Sequence, residues 1–360
     1  MASPGGSSPS IHPAVESMRQ AFESAARDRP EQVRTAAMSL GGRPVTMTVV
    51  GSELARRLGG AFSHLPRQLP SDVAGLRIEL WDGGETGIAP PSEHLRDVFE
   101  RTWPFGRSVL ASSSDESVLG YQSFGSHLVY DRADRRIVGW FAGHSDLSLF
   151  ELGKPLQPLL FAWHSDNDTM PVHAGFVSLE GRGALLGGSG GSGKSTTCLL
   201  CLHEGFDYLG DDYIGIPPRS GSTYFGFGFY NSTWLDPDHI GRLPWLEPHA
   251  QRGGVADDKH LVMLDPIYPG RLIDRAEASV ILLPRVTGLR DTRLAKATPR
   301  EAVLRLAPSS ILQLPFISPG RSLERISEVA ESVPAIWLEL GTEFAQIPER
   351  VEEAIKAGST

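Results

Sequence analysis

Gly187-Gly188-Ser189-Gly190-Gly191-Ser192-Gly193-Lys194-Ser195-Thr196-Thr197 decides how this chain is read. From Gly188 to Ser195 it spells G-x-x-x-x-G-K-S. Apolar Ala184-Leu185-Leu186 precedes it, and Cys198-Leu199-Leu200-Cys201-Leu202 follows. Strand, glycine loop and helix, in that order, are what a phosphate-binding loop requires. Backbone N–H groups are the most compact donors for a triphosphate, and glycines let the backbone come close and take positive φ. A helix starting near Lys194 would aim its positive dipole end at the phosphates. Gly188, Ser189, Gly190, Gly191, Ser192, Gly193, Lys194, Ser195 and Thr196 are therefore the expected nucleotide-binding residues. Lys194 is expected to reach the β- and γ-phosphate oxygens, and the Ser195 hydroxyl to hold Mg²⁺. A flexible Gly/Ser linker is the competing reading. A linker has no reason to place Lys-Ser after its last glycine, between a strand and a helix.

Downstream lies Tyr208-Leu209-Gly210-Asp211-Asp212-Tyr213-Ile214-Gly215-Ile216, two apolar strand-like runs around paired acids. Side chains alternate along a strand, so one acid of the two is expected to face the phosphates. A carboxylate there can accept a hydroxyl proton or organise Mg²⁺. A solvated turn is the bland alternative. Upstream, His173 opens an expected strand, Val172 to Leu179. A tight turn at Gly181-Arg182-Gly183 would fold that strand back onto Ala184 to Leu186. The hairpin would bring His173 to some point along the second strand, which the spacing alone does not fix.

His173-Ala174-Gly175, the glycine loop and Gly210-Asp211-Asp212 together resemble the catalytic domain of the HPr kinase/phosphorylase-related serine kinases. The resemblance covers about residues 160 to 350. It implies an α/β fold: a P-loop HPr-kinase-like catalytic domain, here with a smaller N-terminal α+β domain. It implies a kinase that transfers the γ-phosphate of ATP to a serine hydroxyl of a small protein or peptide, a natural-product precursor peptide included. Lys194 would bind the transferring phosphate and Asp212 would accept the proton. His173 would support that aspartate. Asp211 would be a neighbour in the metal shell, with Ser195, or in the hydrogen-bond shell. Gln251-Arg252-Gly253-Gly254 stands where the family has a Glu-x-Arg-Gly-like segment, so that glutamate ligand is not carried over. Pro319-Gly320-Arg321 sits in different surroundings from the family's Pro-Gly-Arg segment, which is associated with the reverse phosphorolysis. Two other readings stay open: a small-molecule kinase on the same site and a non-catalytic nucleotide-sensing module. Tyr224, Phe225, Phe227, Phe229 and Tyr230 are expected to line the acceptor pocket under either kinase reading. Lys259 is a candidate second phosphate contact. Arg252, Arg271 and Arg275 are weaker candidates for charge stabilisation.

The bulk numbers fit this frame. The chain has 360 residues, 40% hydrophobic and 21% charged, with net charge −9. That balance argues against a nucleic-acid surface, which carries a basic excess. Two cysteines exclude a disulfide framework. Cys198 and Cys201 read as apolar packing within the helix. Met1 to Pro13 lacks the charged and apolar regions of a signal peptide, and no run of about 18 apolar residues exists. A cytoplasmic protein without membrane contact is expected. Homo-oligomer formation stays open.

The expected domains are a disordered tail over 1–12, an α+β domain over 13–168 and the catalytic domain over 169–360. In the first part, residues 13–38 are helix-compatible. Strands are expected at Thr46–Val50, Leu76–Trp81, Ser123–Tyr130 and Arg136–Phe141, and helices at Glu53–His64, Ser92–Trp103 and Leu147–Trp163. His164 to Asp168 reads as a polar connector. In the second part, His260–Leu264, Ala278–Leu283 and Ile336–Leu340 read as strands. Pro299–Leu306, Leu323–Ser332 and Pro348–Ala357 read as helices.

Overall fold

The computed structural model describes residues 12–67, 75–91, 98–252 and 259–358. The tail expected over 1–12 lies outside them except for His12, whose ring accepts from the Ala14 N–H and caps the helix Pro13–Asp28. Contacts divide the chain into two units. The first takes residues up to Ala37, Val45–Arg57 and those from 75 to Ser148. The second takes Met38–Pro44, residues 58–67 and everything from Leu149 onward. The molecule is mixed α/β, with large sheets and covering helices. No helix among the described residues is long and apolar enough to cross a membrane.

The first unit is built on an eight-stranded sheet. Its order is Val33–Leu40, Arg43–Val50, Leu76–Asp82, Arg136–Phe141, Ser126–Asp131, Val118–Gln122, Ser108–Ser112 and Arg101–Phe105. The helix Pro13–Asp28 buries Val15, Met18 and Phe22 in one cluster with Trp81, Val129 and Val138. Helix-compatible sequence over 13–38 is thus helix only to Asp28; Val33 onward pairs as a strand. The helix expected over Ser92–Trp103 falls partly outside the described residues. Where described, Arg101–Phe105 is instead an edge strand that turns back at Gly106 (φ 59°) onto Ser108–Ser112. Tertiary pairing overrides local propensity in both places.

The second unit has a nine-stranded sheet with the twelve-residue strand Arg275–Val286 as its spine. On one side Arg182–Gly187 runs parallel to it, followed outward by Ala174–Leu179 and Asp207–Gly210. On the other side Phe225–Phe227 pairs with its start and Ala335–Leu340 with its end. Both faces are covered, so the strands are apolar on both sides. Ala184, Leu186, Val280 and Leu282 face the helices Lys194–His203 and Gln346–Ala357. Leu185, Ile281 and Leu283 face Pro299–Leu312 and Pro319–Ser332. The two-residue side-chain period is legible in these clusters.

Contacts place the division before Leu149, so the boundary at 168/169 falls inside the second unit. The polar segment His164–Asp168 is not a connector. Gln157–Asp166 is a helix whose residues from Gln157 to Ser165 are all buried. The helix expected over Leu147–Trp163, with interruptions near Pro155 and Pro158, is Leu149–Gly153 followed by a break with Leu156 at φ 57°; Pro158 sits in the first turn of the next helix and does not interrupt it. Cys198 and Cys201 are free and buried. Gly205, at φ 93°, follows the end of the loop helix.

Candidate functional site

The hairpin register fixes what sequence spacing could not. The turn uses Glu180 (φ 52°) and Gly181 (φ 80°), and Ala174 pairs with Gly187. His173 therefore lies one step beyond the last pair, beside the start of the glycine loop. It also marks a break. Met170–Val172 pairs with Ile214–Ile216, whereas Ala174–Leu179 pairs with the loop-leading strand. The single strand expected over Val172–Leu179 is thus two strands serving different neighbours. At the break the His173 N–H, released from the ladder, donates to Ser310 Oγ at 2.9 Å.

The glycine loop needs its glycines at particular points. Gly193 caps the helix Lys194–His203 at φ 102°. A Cβ there would stand 2.2 Å from Leu340 Cδ1, and one at Gly188 would stand 2.5 Å from Ser192 Oγ. Lys194 is buried, and its ammonium donates to the Gly188 carbonyl at 2.6 Å and the Ser189 carbonyl at 3.3 Å. Burial lowers its pKa against the opposing charges of Asp212 and Asp211.

The acids lie just past the strand Asp207–Gly210, so strand alternation does not decide their directions. Both line the same cleft as Lys194, a hollow of about 500 Å³. Asp211 is buried and accepts from Tyr208 Oη and Thr233 Oγ1, each at 2.8 Å. Asp212 is about a third exposed, with His173 Nε2 2.9 Å from its Oδ1 and the Lys154 ammonium on its Oδ2. Burial alone would raise the Asp212 pKa; the Lys154 charge and the His173 hydrogen bond outweigh it and hold the carboxyl well below its ordinary range. His173 also packs its ring against Tyr213, centroid to centroid 5.2 Å.

The cleft thus gathers Ser189 to Thr196, His173, Asp211 and Asp212, together with Lys259. The three arginines are elsewhere. Arg271 approaches Asp207 at 3.5 Å, Arg275 lies over the Phe225 ring at 3.6 Å, and Arg252 lines a separate hollow of about 190 Å³. The aromatic run does not line the cleft either. Tyr224, Phe227, Phe229 and Tyr230 are core residues. The aromatic side chains that do line it are Phe150 and Trp234. Sequence reasoning missed Lys154 altogether. Its signal was present: an ammonium in the apolar stretch Leu152-Gly153-Lys154-Pro155-Leu156, where a charge is costly unless paired.

Oxygen donors suit a hard cation such as Mg²⁺. Ser195 and Asp211 both line the cleft. Each Asp211 oxygen accepts one hydroxyl and keeps a further lone pair. The donor chemistry fits the ion.

The sequence matches no protein-family model and no curated protein. Among solved structures, the HPr(Ser) kinase/phosphatase from Coxiella burnetii aligns at 12% identity over 53% of this chain and 96% of that chain, with a TM-score of 0.28. The structural similarity is distant and bears on neither the site nor its chemistry.

Proposed function

We propose that this protein is an ATP-dependent kinase that transfers the γ-phosphoryl group to a hydroxyl, a serine of a small protein or peptide being the acceptor. One observation carries the reading: a glycine loop at a helix N-terminus, its lysine, an acid pair and a histidine, from three separate chain segments, line one cleft. The triple motif spacing that resembles the HPr-kinase-related serine kinases supports the same assignment.

Gly188 to Thr196 would cradle the phosphates with loop N–H groups and the helix N-terminus. Lys194, now turned onto two loop carbonyls, would exchange them for phosphate oxygens. Ser195 and Asp211 would hold Mg²⁺, which supplies charge neutralisation on the phosphate oxygens. The acceptor oxygen bonds to the γ-phosphorus while the bond from that phosphorus to the β,γ-bridging oxygen breaks. The electron pair leaves on ADP, and the hydroxyl proton passes to Asp212. A carboxylate held this acidic is a weak base. Phosphoryl transfer tolerates that, because its loose transition state asks little nucleophile activation and much positioning. His173 would fix the Asp212 carboxylate by donating from Nε2 to Oδ1.

The test is incubation of the protein with γ-labelled ATP, Mg²⁺ and serine-containing peptides, read by mass spectrometry. Label on a peptide serine supports the reading. Label only on small metabolites turns it into a small-molecule kinase. Tight ATP binding without turnover leaves a sensing module.

A further inference from the structure

Lys154 belongs to no motif, yet its backbone is fixed from both sides. Ser232 Oγ donates to the Gly153 carbonyl at 2.6 Å, and Tyr230 Oη donates to the Pro155 carbonyl at 3.0 Å. A Cβ at Gly153 would lie 2.6 Å from Leu261 Cδ1, so the chain is pressed against its neighbours there. The Lys154 side chain is about one-tenth exposed. Its ammonium lies 5.6 Å from the Tyr213 ring centroid and 6.0 Å from that of Trp234. The carboxylate it meets is Asp212.

A largely desolvated ion pair is weak evidence for stability, since apolar replacements of similar volume often do as well, and this one is only partly buried. The position of this pair argues for a different use. It opens onto the cleft that also holds the glycine loop. Asp212 is gripped on one oxygen by His173 and on the other by Lys154. Two donors on opposite oxygens of one carboxylate fix its plane, which one donor does not.

We infer that Lys154 is a positioning residue of this site: with His173 it clamps the Asp212 carboxylate in the plane from which an acceptor hydroxyl is engaged. The inference rests on the kinase reading. Lys154 acts through Asp212, and its substitution is felt in turnover more than in nucleotide affinity.

The experiment compares steady-state kinetics of the full chain with those of Lys154→Met, Lys154→Gln, Lys154→Arg and Lys154→Ala, each checked for folding by its thermal midpoint. Lys154→Met and Lys154→Gln should lose about 10- to 100-fold in kcat, the loss expected for one charge-assisted hydrogen bond, with KM for ATP changed by less than about threefold. Lys154→Arg should recover part of the loss. Methylammonium added to Lys154→Ala should restore turnover saturably, which a structural role would not produce. Should Lys154→Met not fold, Lys154→Gln and the amine rescue still decide. Wild-type kcat in a folded Lys154→Gln, or loss confined to KM, overturns the inference. If the wild-type protein itself transfers no phosphate, the kinase reading fails first, and the two failures are told apart.

Discussion

His173 Nε2 stands 2.9 Å from Asp212 Oδ1, joining a strand break to the loop that follows a different strand. The sheet makes this contact. Ala174–Leu179 lies between the loop-leading strand and Asp207–Gly210, so its start and the latter's end meet beside the glycine loop. If Asp212 takes the acceptor proton, Asp212→Asn should cut kcat by about 10²- to 10⁴-fold. The MgATP dissociation constant should stay within about threefold, because the phosphates are held by the loop. Single-turnover kinetics with isothermal titration checks both. Unchanged turnover removes the assignment of the base.

The histidine acts one step further from the chemistry, so its loss should be milder. His173→Ala removes a hydrogen bond to a charged acceptor, about 1.5–3 kcal/mol. If the bond is expressed in the transition state, kcat falls by about 10- to 100-fold, with nucleotide affinity kept. A His173→Ala variant as impaired as Asp212→Asn would instead make the histidine a direct participant.

The glycine loop and the acid pair could be singled out from the sequence, because local chemistry dictates their residue types; His173 entered only through the resemblance. Their meeting in one cleft was not, since it depends on the register Ala174 to Gly187 and on the strand order. Lys154 escaped because its partner is far along the chain: an ammonium in an apolar segment signals a paired charge but does not name the partner. The aromatic run misled for the opposite reason. Tyr224, Phe229 and Tyr230 have the composition of a ligand pocket, but they are used as core. The helical reading of Arg101–Trp103 failed because strand pairing with Ser108–Ser112 is nonlocal information.

Two loop glycines should respond differently to the same substitution. Gly193→Ala puts a Cβ at φ 102° and 2.2 Å from the Leu340 side chain, which is itself buried. Strain of this kind costs about 1–3 kcal/mol. Gly190 has open space around its Cβ direction, so Gly190→Ala should stay within about 0.5 kcal/mol. Urea midpoints of the two variants provide the measurement. Equal stability would mean that the loop relaxes away from Leu340 at no cost.

Buried His164 should make the fold acid-sensitive as pH falls from about 6.5 toward about 3. The ring is fully buried, with the Trp163 and Phe229 ring centroids each 4.7 Å away. Among the described residues neither ring nitrogen has a hydrogen-bond partner. Burial pushes its pKa down to about 3, and the nearby Arg43 charge adds to the shift. His64, half-buried and with neither ring nitrogen partnered among the described residues, is pushed down to about 4, desolvation again leading. The folded ring stays neutral at a pH where the unfolded one, near 6.5, takes up a proton. Stability is therefore full above about pH 6.5 and falls as pH drops toward the folded values, by up to about 1.4 kcal/mol per pH unit for each ring. Urea midpoints between pH 7 and pH 4 should drop steeply for the wild-type chain and less steeply for His164→Leu, which has no proton to gain. Parallel slopes would mean that the ring finds water or a rearranged partner once protonated, and the burial argument would fail.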